Sequence, residues 1–459
     1  MTRRRTPVRT PHQRELRDNL RFCLADGVGF SVMVGLGETY LAAFALALGM
    51  GEIYAGLLST LPLLAGALIQ LISPVGVRWM GSRKRWVVVC AALQSASFLP
   101  LVVGSVIEEC SGLLLMATAS LYWAAGLGTG PAWNSWIELL VPHRIRARFF
   151  ARRSSYTHLA LLIGILAGGF LLQTGHARGF LFPAFALIFS LAAGSRVFSS
   201  LMLSKQTEPA GGEGRKDMRL RDSIGNIAHG RHGAFLVYLL AVQLAVSIAS
   251  PFFTPYMLKG LRLTYAEYTM LLAAAFLAKM GVLILIGKRA KGWGTMKLLR
   301  IGGIGIIPMS ILWLVSGSFT YLFVLQIFSG SVWACYELAV FLLIFERIPV
   351  HERTAVLTIY NVGHAVFTVA GSLIGAGIFG MAGPVSAYGV IFIASFAARL
   401  LTLPLQFRLG PFPVISWSVI VRAVAVRPSA GPLWKPLVGG FSPPREKEGP
   451  HDDGESAAS

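Results

Sequence analysis

Apolar stretches long enough to cross a bilayer recur along this chain, and its basic residues fall in every second gap between them. About 20 residues of helix span the hydrocarbon core. The sequence offers about twelve such stretches, at 27–49, 53–73, 86–106, 113–136, 155–174, 180–203, 234–257, 265–286, 298–316, 320–345, 356–378 and 386–405. Of the 41 Lys and Arg residues, only Arg178, Lys259 and Arg262 lie in the odd-numbered gaps, while Arg196, Lys279 and Arg399 sit inside spans. Basic residues are retained on the cytoplasmic side of a membrane. The chain is therefore expected to be an all-α integral membrane protein of the cell membrane, with about 12 transmembrane helices and both termini in the cytoplasm.

The composition agrees with this and excludes several classes. Hydrophobic residues make up 54% of the 459 positions and charged residues only 14%, against about 25% for a soluble domain. A net charge of +20 would suggest nucleic acid only if it formed a basic face on a soluble domain. Here it sits in short loops, where anionic membrane lipid is the expected partner, and no nucleic acid is expected. Cys23, Cys90, Cys110 and Cys335 are far apart and show no metal-ligand spacing, so neither a metal nor another cofactor is expected. No Gly-x-x-x-x-Gly-Lys-Ser/Thr loop occurs, which argues against ATP drive within the chain. No cluster of His, Asp or Cys suggests a membrane-embedded enzyme.

The spans divide into two sets of six. A basic tail is expected at 1–26, an N-terminal six-helix bundle at 27–203 and a central cytoplasmic loop at 204–233. A C-terminal six-helix bundle follows at 234–405, then a tail at 406–459. In that tail VISWSVIVRAVAVR is too short to span and suits the membrane surface, and REKEGPHDDGESAAS has a disordered composition.

The two sets repeat each other. PVGVRWMGSRKR follows the second span and GKRAKGWGTMK the eighth, placing Gly81 with Gly294 and Arg78 with Lys291. After the fourth span Arg146 stands four residues past Pro142, and after the tenth Arg353 stands four past Pro349. A glycine follows 18 residues later in both, Gly164 and Gly371, and Arg196 matches Arg399 near the ends of spans six and twelve. A duplicated six-helix unit of this kind is common among carriers.

Twelve spans, the six-plus-six repeat, a long central loop and a glycine-plus-basic loop after spans two and eight resemble the major facilitator superfamily, over about residues 20–408. That family's loop reads Gly-x-x-x-Asp-x-x-Gly-Arg/Lys-Arg/Lys. Here Pro74 stands at its first glycine, and Arg78 and Lys291 stand at the acid that the family uses in a gating contact. The resemblance makes Gly81, Arg78, Arg83, Gly287, Lys291, Gly294, Arg146 and Arg353 candidate gating-loop residues. Gly37-Glu38-Thr39-Tyr40 and PAWNSWIELLVPHRIRARFFARRS resemble one bacterial group within the family, to which no substrate attaches. Gly164, Gly168 and Gly169 lack the proline of the antiporter pattern in span five. The resemblance implies two bundles rocking about a path lined by spans 1, 2, 4, 5, 7, 8, 10 and 11.

Glu38 is the sharpest single residue. It lies about 16 Å from either end of span one, where an ionised carboxylate costs several kcal/mol unless paired or hydrated. It is the candidate for proton coupling, the alternative being a glutamate that only fastens helices. Lys279 and Glu337 lie about 10 and 12 Å from the cytoplasmic ends of spans eight and ten, a matching depth that permits an ion pair. Both are also candidates to meet substrate. Tyr40, Gln70, Gln243 and Asn361 are further cavity candidates, with interhelical hydrogen bonding as the alternative. Arg196 and Arg399 are expected to snorkel to the interface. His158 and His364 read as hydrogen-bonding residues. The expected function is secondary transport of a small solute by alternating access, carried out by a monomer and driven by a proton gradient. A uniporter, a lipid or amphiphile carrier, and a non-transporting sensor remain open.

Overall fold

Proline and glycine decide where the helices of this protein break, and the breaks repeat between its halves. The computed structural model describes residues 11–209, 233–289, 294–347, 350–383 and 386–409. Among these, eleven helices are long and apolar enough to cross a membrane. They are α1 (Arg14–Ala47), α2 (Glu52–Met80), α3 (Arg83–Val106), α4 (Gly112–Leu140), α5 (Arg152–Ala177), α6 (Leu181–Lys205), α7 (Gly233–Gly260), α8 (Tyr265–Ile286), α10 (Phe319–Ile344), α11 (Ile359–Met381) and α12 (Ala387–Arg408). The ninth expected span is α9 (Thr295–Ile306), which stops before Pro308 and resumes as Met309–Leu312. A proline inside a helix removes one backbone donor and crowds the preceding turn. The protein is a multi-pass membrane protein. Outward-facing Leu68, Ile72, Val103, Ile163, Phe170, Val237 and Ile284 are all exposed, as a surface turned to lipid requires.

The first helix starts at Pro11, earlier than the span expected from residue 27. Asn19, Cys23 and Asp26 are buried, so the later part of the expected basic tail is packed helix. Residues 210–232 of the expected central loop and the C-terminal interfacial piece lie outside the described residues.

Both α1 and α7 lose their α-helical form at one matched point. In α1 the helix Pro11–Leu36 gives way to a 3-10 turn at Glu38–Tyr40 before Leu41–Ala47. In α7 the helix Gly233–Ser247 gives way to a 3-10 turn at Ser250–Phe252. Gly37 makes room for the Phe98 ring at the first break, and Pro251 sits within the second. Discontinuous helices of this kind expose backbone and side chains where a carrier binds its cargo.

The same register governs helix contact. A Cβ at Gly164 in α5 would lie 3.0 Å from Val32 O in α1, and one at Gly371 in α11 would lie 2.5 Å from Leu244 O in α7. With Glu38 matched to Ser250 and Gly164 to Gly371, Asp26 falls opposite Tyr238 and Arg153 opposite Tyr360.

Candidate functional site

A cavity of about 310 Å³ lies between the two sets of helices, at the level of the α1 and α7 breaks. Glu38 reaches it from α1, 8% exposed, and Tyr122 of α4 donates a hydrogen bond of 2.6 Å to its Oε2. Because Glu38 sits in the 3-10 turn rather than a regular helix, its side chain turns toward α4 and the cavity. From the second half come Gln243, Lys279, Gln326, Glu337, His364 and Arg399. Lys279 Nζ and Glu337 Oε2 are 2.5 Å apart, with the side chains 21% and 35% exposed. Gln243 Nε2 donates to Ser247 Oγ at 3.0 Å and to Thr368 Oγ1 at 2.8 Å. Trp123, Trp313 and Trp333 give the cavity flat apolar walls.

Three sequence candidates fall elsewhere. Tyr40 is fully buried, donating to Ile165 O at 2.5 Å and lying 3.2 Å from Thr269 Oγ1. It stands two residues from Glu38, on the other side of the chain. Asn361 is buried and Gln70 half-buried, and neither lines the cavity. Gln70 sits among the outward-facing Leu68, Leu71 and Ile72, while Asn361 is rotated about 100° from the cavity-lining Tyr360.

Polar contacts between the halves lie toward the face opposite the chain's tails. Tyr268 Oη donates to Thr39 O at 3.4 Å, Ala266 N donates to Gln173 Oε1 at 3.2 Å, and Lys259 Nζ stands 3.8 Å from Glu52 Oε1. At mid-depth the His158 ring stacks on Phe276 with centroids 5.7 Å apart.

At the tail-side ends, Gly81 takes a left-handed φ of +63° that closes α2, and Ser82 caps α3 by accepting from Arg85 N at 3.0 Å. Arg78 lies in the last turn of α2, and Arg83 opens α3. The Glu208 carboxylate, arriving from beyond α6, accepts from Arg83 N at 2.8 Å and Ser82 Oγ at 2.5 Å. An acid thus meets this loop although Arg78 occupies the loop's own acidic position. Arg146 Nη2 donates to Glu138 O at 2.6 Å, with Nη1 3.4 Å from Glu138 Oε1. Gly294 precedes α9 as its cap. Gly287 lies in the helix Tyr265–Arg289 and Arg353 in the helix Val350–Met381. Lys291 and the Arg353 side chain are outside the described residues.

Arg196 and Arg399 are 0% and 2% exposed and do not snorkel. Their helices run nine residues further, to Lys205 and Arg408, about 14 Å that an arginine cannot bridge. Arg196 instead belongs to a buried cluster. Its Nη1 is 3.9 Å from Asp26 Oδ1 and donates to Ser199 Oγ at 2.7 Å, which donates to Asp26 Oδ1 at 2.6 Å. Arg153 Nη2 approaches Asp26 Oδ2 at 3.4 Å, and its guanidinium lies 4.8 Å from the Trp133 ring centre. Sequence reading missed Asp26 and Arg153 by assigning them to a tail and a loop. The available signal was a lone acid one turn ahead of Phe30, where the apolar run has already begun.

No protein-family model and no curated protein sequence matches the chain. Solved structures do. A mutant form of the nucleoside transporter NupG superposes with a TM-score of 0.69 at 10% identity, covering 86% of this chain and 100% of that one. A bacterial homologue of the iron transporter ferroportin, in an inward-facing state, gives 0.65 at 14% identity, covering 87% and 99%. FucP, a major facilitator superfamily transporter in the outward conformation, gives 0.53 at 14% identity, covering 85% and 99%. The chain has the major facilitator fold. In this fold the repeat seen in the sequence is two pseudo-symmetric six-helix bundles, and the cavity described above lies between them.

Proposed function

We propose that this protein is a secondary active transporter that moves a small solute by alternating access, with protons coupled through Glu38. One observation carries the reading. A cavity between two repeat-related bundles meets an intramembrane carboxylate at the break of α1. A buried acid that accepts a tyrosine hydroxyl and faces the cavity is suited to gain and lose a proton. The contacts from Lys259, Ala266 and Tyr268 to the N-terminal half support a state closed on the face opposite the tails. Rocking the bundles would break these contacts and open that face. The similarity to a D-xylose–proton symporter, with a TM-score of 0.62 at 12% identity covering 85% of this chain and 97% of that one, agrees with a proton-coupled solute carrier. The distribution of Lys and Arg supports a cell-membrane orientation with the tails cytoplasmic. The path lies within one chain, so a monomer suffices, surrounded by lipid.

Purified protein in liposomes tests this, with a broad metabolite mixture screened under an imposed pH gradient for wild type and Glu38→Gln. The expected outcome is gradient-driven accumulation of one compound that falls at least about tenfold in the variant. Glutamine still accepts the Tyr122 hydroxyl, so the fold should hold. Equal accumulation in both proteins would remove Glu38 from coupling. Transport that persists after the gradient collapses would make the protein a uniporter.

A further inference from the structure

The repeat places an arginine at one register in each half, Arg196 in α6 and Arg399 in α12, yet their surroundings differ. Arg196 is held against Asp26 and does not line the cavity. At the position matching Asp26 the second half has Tyr238, and at the position matching Arg153 it has Tyr360. Arg399 therefore has no carboxylate partner among the described residues. Its Nε donates to Ser395 Oγ at 3.1 Å and its Nη1 to Ile306 O at 2.9 Å. The guanidinium lines the cavity, and its Nη2 has no acceptor among the described residues. A guanidinium carries five donors in a planar fork suited to an oxyanion, and a buried cation without a counter-charge is costly. The other cavity cation, Lys279, already has Glu337 at 2.5 Å.

We infer that Arg399 binds the anionic group of the solute, a carboxylate or phosphate on a small apolar or aromatic body. This rests on reading the cavity as the transport site and names the class of its cargo. The body packs against Trp123, Trp313 and Trp333 while the oxyanion takes the free edge of the guanidinium. Lys279 and Glu337 cancel each other. One bound monoanion balances Arg399.

The test is binding, measured apart from transport. Wild type, Arg399→Gln and Arg399→Lys in phosphatidylcholine nanodiscs are titrated by tryptophan fluorescence, with thermal unfolding recorded for each. The probes are phenylacetate against phenylacetamide, and benzyl phosphate against benzyl alcohol. We expect at least one anion to bind more than about tenfold tighter than its neutral partner in wild type. Arg399→Gln should erase that preference and Arg399→Lys should keep part of it. Should Arg399→Gln fail to fold, the wild-type preference and its weakening in Arg399→Lys decide. Equal binding of neutral partners, absence of anion binding, or a preference that survives Arg399→Gln would overturn the inference. Repeating the titration with phosphatidylglycerol in the disc separates the sources. Displacement of the probe by this lipid makes a lipid headgroup the natural anion, and no displacement makes it a soluble organic anion; both support an oxyanion site. Anion binding without gradient-driven uptake would leave Arg399 in this role and overturn the transporter reading. Gradient-driven uptake of a neutral solute would do the reverse.

Discussion

In the N-terminal half, Asp26, Arg153 and Arg196 are buried and hold one another away from the cavity. In the C-terminal half the same three positions are Tyr238, Tyr360 and Arg399, and the latter two line the cavity. A second contrast runs the same way. The repeat register places Gly66 and Gly130 of the first half where the second has Lys279 and Glu337. A Cβ at Gly66 would lie 2.8 Å from Trp123 O, so that half uses close helix contact where the other carries an ion pair. Glu38 reverses the pattern, since its match is Ser250. The duplicated backbone thus lets one half supply a buried acid and the other the basic groups facing it. Neither half alone makes a site.

The largest expected effect tests whether the Asp26 cluster is structural. Asp26→Ala leaves two buried guanidinium groups without their shared acid, and should cost about 3–5 kcal/mol of stability. Tyr238→Phe removes one hydroxyl at the matched position and should cost about 1 kcal/mol. Denaturant unfolding in detergent would compare them. Similar losses for the two would mean that the halves do not differ in what holds them together.

A smaller effect should be shared by the halves rather than divide them. Gly164 and Gly371 sit at matched crossings where an added methyl meets backbone. Alanine at either should cost about 1–3 kcal/mol, since overpacking forces the helices apart. Thermal unfolding of both variants would show it. A loss at one position only would break the proposed match between α1–α5 and α7–α11 on which the register rests.

The fold was legible because a bilayer imposes span length and charge bias on the sequence itself. The repeat was legible in loops, where Gly81, Gly294, Pro142 and Pro349 recur at fixed spacing. The break of α9 at Pro308 was less so, because hydropathy runs through it unchanged. Within the site, depth along a helix could be counted, which is why Glu38, Lys279 and Glu337 were picked out and all reach the cavity. Rotation about each helix could not, and Tyr40, Gln70 and Asn361 therefore fall off it. The arginines were misread for a different reason. Snorkelling depends on where a helix ends, and α6 and α12 continue for nine residues past Arg196 and Arg399. Asp26 was lost because an acid on the first turns of a membrane helix looks like tail until its partners are seen.

The Lys279–Glu337 pair gives the finest test of the contrast. Its members are 21% and 35% exposed, so water screens the pair and its net contribution should be about 1 kcal/mol or less. Lys279→Met, Glu337→Gln and the double variant form a cycle whose coupling energy isolates the pair. A small coupling is what a cavity-facing pair needs if it is to separate as the bundles rock, and it leaves Lys279 available to a solute in another state. A coupling above about 3 kcal/mol is the range for a buried pair. It would make Lys279 and Glu337 a fastening of α8 to α10, equivalent to the glycine contact between α2 and α4. The two halves would then differ in charge facing the cavity at Glu38 and Arg399 alone, and the solute's recognition would narrow to those two groups.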